Sequence, residues 1–177
     1  MSIGQGYLLV TPLQVNTWTN IIAHRGKACR PTIEKKGVRY SWSKESECVD
    51  LHIKKETLDL ITEGMREACA TGGTGWPLFN FSVTKSSDQP VTAPTISDSV
   101  ATPSGTAKRR IAVPIACKTG TAEFGDPDDN THAWFTAFGP LPAEALAKAG
   151  LSEDETRITG EPEISVTVLV EGAGEGS

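Results

Sequence analysis

Two alternating runs separated by a turn-rich loop leave this chain little freedom. Ala116-Cys117-Lys118-Thr119-Gly120-Thr121-Ala122-Glu123 and His132-Ala133-Trp134-Phe135-Thr136-Ala137-Phe138-Gly139-Pro140 read as neighbouring strands. Gly125, Asp126, Pro127, Asp128, Asp129 and Asn130 supply the turn between them. Upstream, Ile111, Val113 and Ile115 alternate with smaller residues, the period of a half-buried strand, and Pro114 among them marks an edge or a bulge. Lys118-Thr119-Gly120 on an edge strand has the makings of a substrate grip. A lysine ammonium sets a positive potential, a threonine hydroxyl donates to a carboxylate, and glycine leaves room for a substrate backbone. Such an edge can pair with an extended peptide, and the Thr121 backbone N–H is a candidate to face a developing oxyanion. By its spacing alone, Lys118 is better read as a solvated edge lysine that keeps sheets from pairing.

The rest of the chain supplies helices to cover such a sheet. Thr11 is the expected N-cap of a helix with Pro12 at its first position, Gln14 completing a capping box and Val10 stapling onto Val15. Val15, Trp18 and Ile22 are expected on its inner face, with Leu13, Thr17 and Ile21 beside them, and Gly26 ends it. Pro31-Thr32-Ile33 and Val38-Arg39-Tyr40 read as short strands around a Lys35-Lys36-Gly37 turn. Leu58, Ile61, Met65 and Cys69, with Leu60 and Ala68, follow helical spacing up to Gly72-Gly73, with Met65 as core filler. Lys54-Lys55 is a poor helix start, so the first turn is expected to fray.

Residues 71–110 read as a loop-rich insertion near the mouth of a cleft, rich in Gly, Pro, Ser and Thr. Pro142 to Ala149 reads as a short helix and Ser152 to Glu155 as an acidic loop. Ile164, Val166, Val168 and Val170 then alternate with Ser165, Thr167 and Leu169 as a strand. The glycine-rich tail lacks the spacing and the following helix of a nucleotide-binding loop.

Composition excludes several classes of function. At 177 residues the chain suits one domain rather than two. A net charge of −5 gives no support to nucleic-acid binding, and the short run Lys108-Arg109-Arg110 reads as the solvated start of a strand. Cys29, Cys48, Cys69 and Cys117 are 19, 21 and 48 residues apart, and His24, His52 and His132 are equally scattered, so no metal site is indicated. Structural or free thiols are expected; one disulfide is compatible with an exported chain, and the spacing selects no pairing. No apolar run is long enough to span a bilayer, and Met1 to Gly6 lacks the character of a signal peptide.

Lys118-Thr119-Gly120-Thr121-Ala122 followed by His132-Ala133-Trp134-Phe135 resembles the Lys-Thr-Gly strand pair of the penicillin-binding proteins, the third motif of a serine acyl-transfer set. Ser2-Ile3-Gly4-Gln5-Gly6, an apolar turn and Thr11-Pro12-Leu13-Gln14 are similar to the stretch that follows the second catalytic motif in class B members. Glu63-Gly64-Met65-Arg66 resembles the helix before their Lys-Thr-Gly strand. The resemblance spans a little under half the chain. It departs at Cys117, where many relatives carry glycine, and at Lys54-Lys55, where a Ser-Pro start is expected.

The resemblance implies an α+β transpeptidase fold of the penicillin-binding-protein and serine β-lactamase kind, an antiparallel sheet with flanking helices. The chain is read as the C-terminal part of one such domain, residues 1–177, incomplete at both ends. It further implies a monofunctional, elongation-type D,D-transpeptidase that cross-links peptidoglycan stem peptides through a serine acyl-enzyme and is acylated by β-lactams. Lys118 and Thr119 would hold the substrate carboxylate, Gly120 would admit it, and the Thr121 N–H would complete the oxyanion hole. No metal or organic cofactor is implied. The expected partners are the N-terminal part of the same domain and the cell-wall elongation machinery, with the parent anchored in the plasma membrane and this domain outside. His132 is expected to pack or hydrogen-bond rather than to move protons.

In the family, a Ser-x-x-Lys and a Ser-x-Asn precede Ser-Ile-Gly-Gln-Gly, so the nucleophile is expected outside this chain. Two Ser-x-x-Lys matches, Ser41-Trp42-Ser43-Lys44 and Ser82-Val83-Thr84-Lys85, lie on the wrong side of the Thr11 helix and away from any helix N-terminus. Relatives also follow the final strand with a helix across the sheet, so apolar surface is expected to be exposed here. Two other readings stay open: a non-catalytic binding module or degenerate fragment, and a serine β-lactamase relative. Against the second, Thr-Pro-Leu-Gln and His-Ala-Trp-Phe point to a transpeptidase.

Overall fold

The first helix, α1 (Pro12–Ala23), begins where its cap chemistry dictates. The Gln14 N–H donates to Thr11 Oγ1 at 3.3 Å and the Thr11 N–H donates to Gln14 Oε1 at 2.8 Å, closing the expected capping box. The helix ends at Gly26, whose φ of +92° suits a residue without a Cβ and whose N–H donates to the Ile21 carbonyl at 2.8 Å. A computed structural model of the chain describes residues 8–31, 48–75, 78, 81–86, 108–125, 127–128, 130–143, 145 and 159–173.

After α1 come β1 (Lys27–Cys29), β2 (Cys48–Asp50) and α2 (Lys55–Ala68). They are followed by β3 (Ser82–Ser86), β4 (Lys108–Ala112), β5 (Ala116–Glu123), β6 (Thr131–Gly139) and β7 (Ile164–Val170). Among the described residues all the strand pairs are antiparallel: β1 with β2, β3 with β4, and β5-β6-β7 as a three-stranded sheet. The architecture is therefore α+β. Lys54 makes no side-chain cap to α2, consistent with the weak start read from Lys54-Lys55.

Four local expectations need correction. Trp18 and Leu13 are exposed, and the inner face of α1 is carried by Thr19 and Ala23 with Ile22 beside them. The reason is polar. α1 lies on a sheet face built from hydroxyls, where Thr19 Oγ1 meets Thr136 Oγ1 at 2.8 Å, Thr136 meets Thr167 at 2.8 Å, and Asn16 Nδ2 donates to Thr167 at 3.2 Å. In α2 the buried stripe is Leu58, Thr62, Met65 and Cys69, while Leu60 is 75% exposed and Ile61 is also exposed.

The third correction concerns the insertion at 71–110, which contains β3 and reaches into β4. Ser82 pairs with Ala112 and Ser86 with Lys108; β-branched Val83 and Thr84 favour the extended chain despite the polar composition. The fourth concerns the cysteines. They form two disulfides, Cys29–Cys48 across the β1–β2 pair and Cys69–Cys117 between the end of α2 and β5, and no free thiol remains. Ser41 to Lys44, Val38 to Tyr40 and most of the expected helix at Pro142 to Ala149 lie outside the described residues.

The core gathers where the helices meet the start of β5. Ala116, Phe138 and Leu141 pack with Ala23 of α1 and Met65 of α2. On the other face Cys117 and Ala137 pack with Cys69, and with Phe135 and Ile115 at their margin. Burying Phe138 and Leu141 stabilises the fold by about 1.5–3 kcal/mol each relative to exposure. β7 turns Ser165 and Thr167 toward α1 and leaves Ile164, Val166, Val168 and Val170 between 44% and 68% exposed, the apolar surface expected on the sheet. Among the described residues no helix is long and apolar enough to cross a membrane.

Candidate functional site

β5 is the outer strand of its sheet. Lys118 pairs with Thr136, Thr119 with Phe135, Gly120 with Trp134 and Thr121 with Ala133, and no other described strand lies along the opposite edge. Alternation puts Lys118 and Gly120 on the face that carries α1 and Thr119 and Thr121 on the face that carries Cys117. A ligand lying along the edge can therefore meet side chains of both faces.

Lys118 is exposed, and among the described residues its ammonium meets no carboxylate; it donates instead to the Thr119 carbonyl. That leaves a cation beside an open strand edge. Gly120 is not required by the chain's own packing. A Cβ placed there would come 3.6 Å from Trp134 Cβ, ordinary contact, so the space over Gly120 is available to another molecule. Thr121 is exposed at the next position. Thr119 differs from its neighbours: it is only 9% exposed, and its hydroxyl donates to Thr74 Oγ1 at 2.9 Å.

Thr74 belongs to the loop Gly72-Gly73-Thr74-Gly75 that leaves α2 and crosses the Cys117 face of β5. Three bonds hold it there: the Cys69–Cys117 disulfide, the Gly75 N–H donating to the Ala68 carbonyl at 2.8 Å, and the Thr119–Thr74 hydrogen bond. Glycine at 75 is obligatory, because a Cβ would meet Cys117 Sγ at 2.6 Å and the Ala68 carbonyl at 2.9 Å. The added bulk of Cys117 beside Lys118 is thus taken up by a glycine on the loop, and the sulfur is fully buried. Sequence reasoning missed this loop as part of the site; the density of glycine around Thr74 was the available signal.

His132 packs and hydrogen-bonds, as expected. Its ring stacks on Phe124 with centroids 4.1 Å apart, and Nδ1 accepts the Gly172 N–H at 3.2 Å. Ser82-Val83-Thr84-Lys85 runs along β3. Three residues of extended chain span about 10 Å, so the spacing that brings Ser-x-x-Lys together over one helical turn is not met. Among the described residues no group of three His, Cys, Asp or Glu is arranged to hold a metal.

A family model, the penicillin-binding protein transpeptidase domain, matches residues 1–163. The chain belongs to this family. The match runs from the Ser-Ile-Gly-Gln-Gly stretch through β5 and β6 and ends at the threshold of β7. No curated protein and no solved structure matches the chain. Membership supports a penicillin-binding, cell-wall transpeptidase role of the serine acyl-transfer kind, and the peptidoglycan stem peptide and β-lactams as ligands.

Proposed function

We propose that this chain forms the Lys-Thr-Gly wall of a peptidoglycan D,D-transpeptidase of the monofunctional, elongation type. The observation behind the reading is an exposed cation, Lys118, that meets no carboxylate among the described residues, on an outer strand whose next residues are a buried hydroxyl and an uncrowded glycine, within a chain of the transpeptidase family. Lys118 serves the carboxylate of a stem peptide or β-lactam, and the Thr119 hydroxyl braces that end of the strand through the loop it bonds. Gly120 lets the ligand backbone lie against the strand, and the Thr121 N–H faces the oxyanion as the acyl-enzyme forms and breaks. The nucleophilic serine and its lysine base come from residues other than the two Ser-x-x-Lys matches here. In the complete reaction the serine Oγ bonds to the penultimate D-Ala carbonyl carbon, D-alanine leaves, and another stem's amine displaces the serine. Two disulfides support an oxidising, extracytoplasmic location for the domain, outside a membrane to which its parent is anchored.

A second reading is a binding or assembly module without its own chemistry, favoured by Ser82 lying on a strand. Titration of the chain with diacetyl-L-lysyl-D-alanyl-D-alanine tests what the two readings share. Saturable binding that Lys118→Ala abolishes is expected. No binding at millimolar peptide contradicts both.

A further inference from the structure

The hydrogen bond between Thr119 and Thr74 has a direction, and the direction decides which hydroxyl can reach a ligand. Thr119 donates its proton to Thr74 Oγ1 and is itself 9% exposed. A hydroxyl has one proton, so while this bond stands Thr119 has none to give to a carboxylate. Thr74 is exposed, accepts from Thr119, and among the described residues has no acceptor for its own proton. We propose that Thr74, on the loop after α2, is a further substrate-binding residue: its hydroxyl donates to the ligand carboxylate, and Thr119 supports it from behind.

This rests on the reading of β5 as a carboxylate grip and extends it to a second element. The two hydroxyls form a chain, Thr119 O–H to Thr74 O–H to carboxylate, in which each bond polarises the next and the last has a charged acceptor. Lys118 closes the arrangement from the other face of the strand, its ammonium resting on the carbonyl of the same Thr119 whose side chain holds Thr74. The loop is built for fixed placement rather than for casual contact. The disulfide anchors it at Cys69, and Gly75 is pressed against Cys117 Sγ with no space for a Cβ. A hydroxyl held by a covalent anchor five residues earlier loses little freedom when a ligand arrives.

The test compares diacetyl-L-lysyl-D-alanyl-D-alanine with its C-terminal amide, which keeps the shape and removes the charge. Each is titrated calorimetrically into the wild-type chain and into Thr74→Val, Thr74→Ser and Thr119→Val/Thr74→Val. The wild type is expected to prefer the acid. Thr74→Val is expected to cut that preference at least about tenfold, the loss of a hydrogen bond to a charged group. Thr74→Ser should keep it, and the double variant should lose no more than Thr74→Val. A Thr74→Val chain with the wild-type acid-to-amide ratio overturns the role of Thr74 and leaves the Lys118 grip standing. A wild-type chain that binds neither probe overturns the grip and the inference together. The wild-type chain also gives a reading independent of any variant. The acid, and not the amide, should move the Thr74 methyl and amide resonances; an unmoved Thr74 beside a shifted Lys118 overturns the proposal.

Discussion

Removing the bridge between α2 and β5 should be the most damaging small change available in this chain. Cys69 and Cys117 are 48 residues apart, and a cross-link of that span withholds loop entropy from the unfolded chain worth about 4 kcal/mol at room temperature. Both partners are buried, at 6% and 0% exposure, so a Cys69→Ala/Cys117→Ala chain also loses sulfur packing against Ala68, Ala137 and Ile115. Taking about 4 kcal/mol as the main effect and a urea dependence of about 2 kcal/mol per molar, the midpoint should fall by about 2 M. The assay is equilibrium urea unfolding followed by tryptophan fluorescence, with the chain kept oxidised so that Cys29–Cys48 stays closed. The same treatment of Cys29–Cys48, 19 residues apart, should cost about 3 kcal/mol. A loss below about 1 kcal/mol for Cys69–Cys117 would refute the reasoning, because loop closure would then contribute little to the stability of the α2–β5 contact.

Three other changes separate structural from binding roles. Gly75→Ala should destabilise by about 1–3 kcal/mol, since its Cβ would lie 2.6 Å from Cys117 Sγ, whereas Gly120→Ala should stay within about 0.5 kcal/mol and instead weaken peptide binding. Parallel urea melts and peptide titrations distinguish them. Thr136→Val removes the hydroxyl that links Thr19 to Thr167 at the interface of α1 with the sheet, while Thr19 keeps the Val15 carbonyl and Thr167 keeps Asn16 Nδ2, so a loss of about 1 kcal/mol is expected in the same melts. The Arg66 guanidinium grips Glu63 with two hydrogen bonds, at 3.1 and 2.8 Å, and this hydrogen bonding holds the Glu63 carboxyl below its ordinary range. Its stabilising contribution is therefore present above the usual carboxylate pKa and lost as pH falls through the lowered folded value. Melting temperatures of wild type and Glu63→Gln should differ slightly near neutral pH and converge in acid, the effect being small because Glu63 is partly exposed.

The features legible in the sequence were those fixed by local chemistry. The capping box at Thr11 and Gln14, the stop at Gly26 and the alternation of β7 each depend on residues within one turn or one strand, and all three recur in the structure. What escaped depends on partners far along the chain. Asn16 and Thr19 face inward because Thr167 and Thr136, more than a hundred residues later, offer hydroxyls. A hydrophobic count favours Trp18 on that face and cannot register such a match. The pairing of Cys69 with Cys117 follows from α2 ending beside β5, which spacing alone does not encode. Thr74 escaped for the same reason, since a threonine in a glycine-rich loop acquires meaning only when the loop is laid across Thr119. On β5 the motif offers the candidate residues, and the fold adds that Lys118 and Thr119 occupy opposite faces of an outer strand.

The central claim is that β5, from Lys118 to Thr121, receives the carboxylate end of a stem peptide. Amide resonances of the isotopically labelled chain, recorded during titration with diacetyl-L-lysyl-D-alanyl-D-alanine, test it most directly. Saturable shifts concentrated at Lys118, Thr119, Gly120 and Thr121, with Thr74 beside them, are expected, and Lys118→Ala should lose them. Shifts centred elsewhere, with β5 unmoved at saturation, would contradict it.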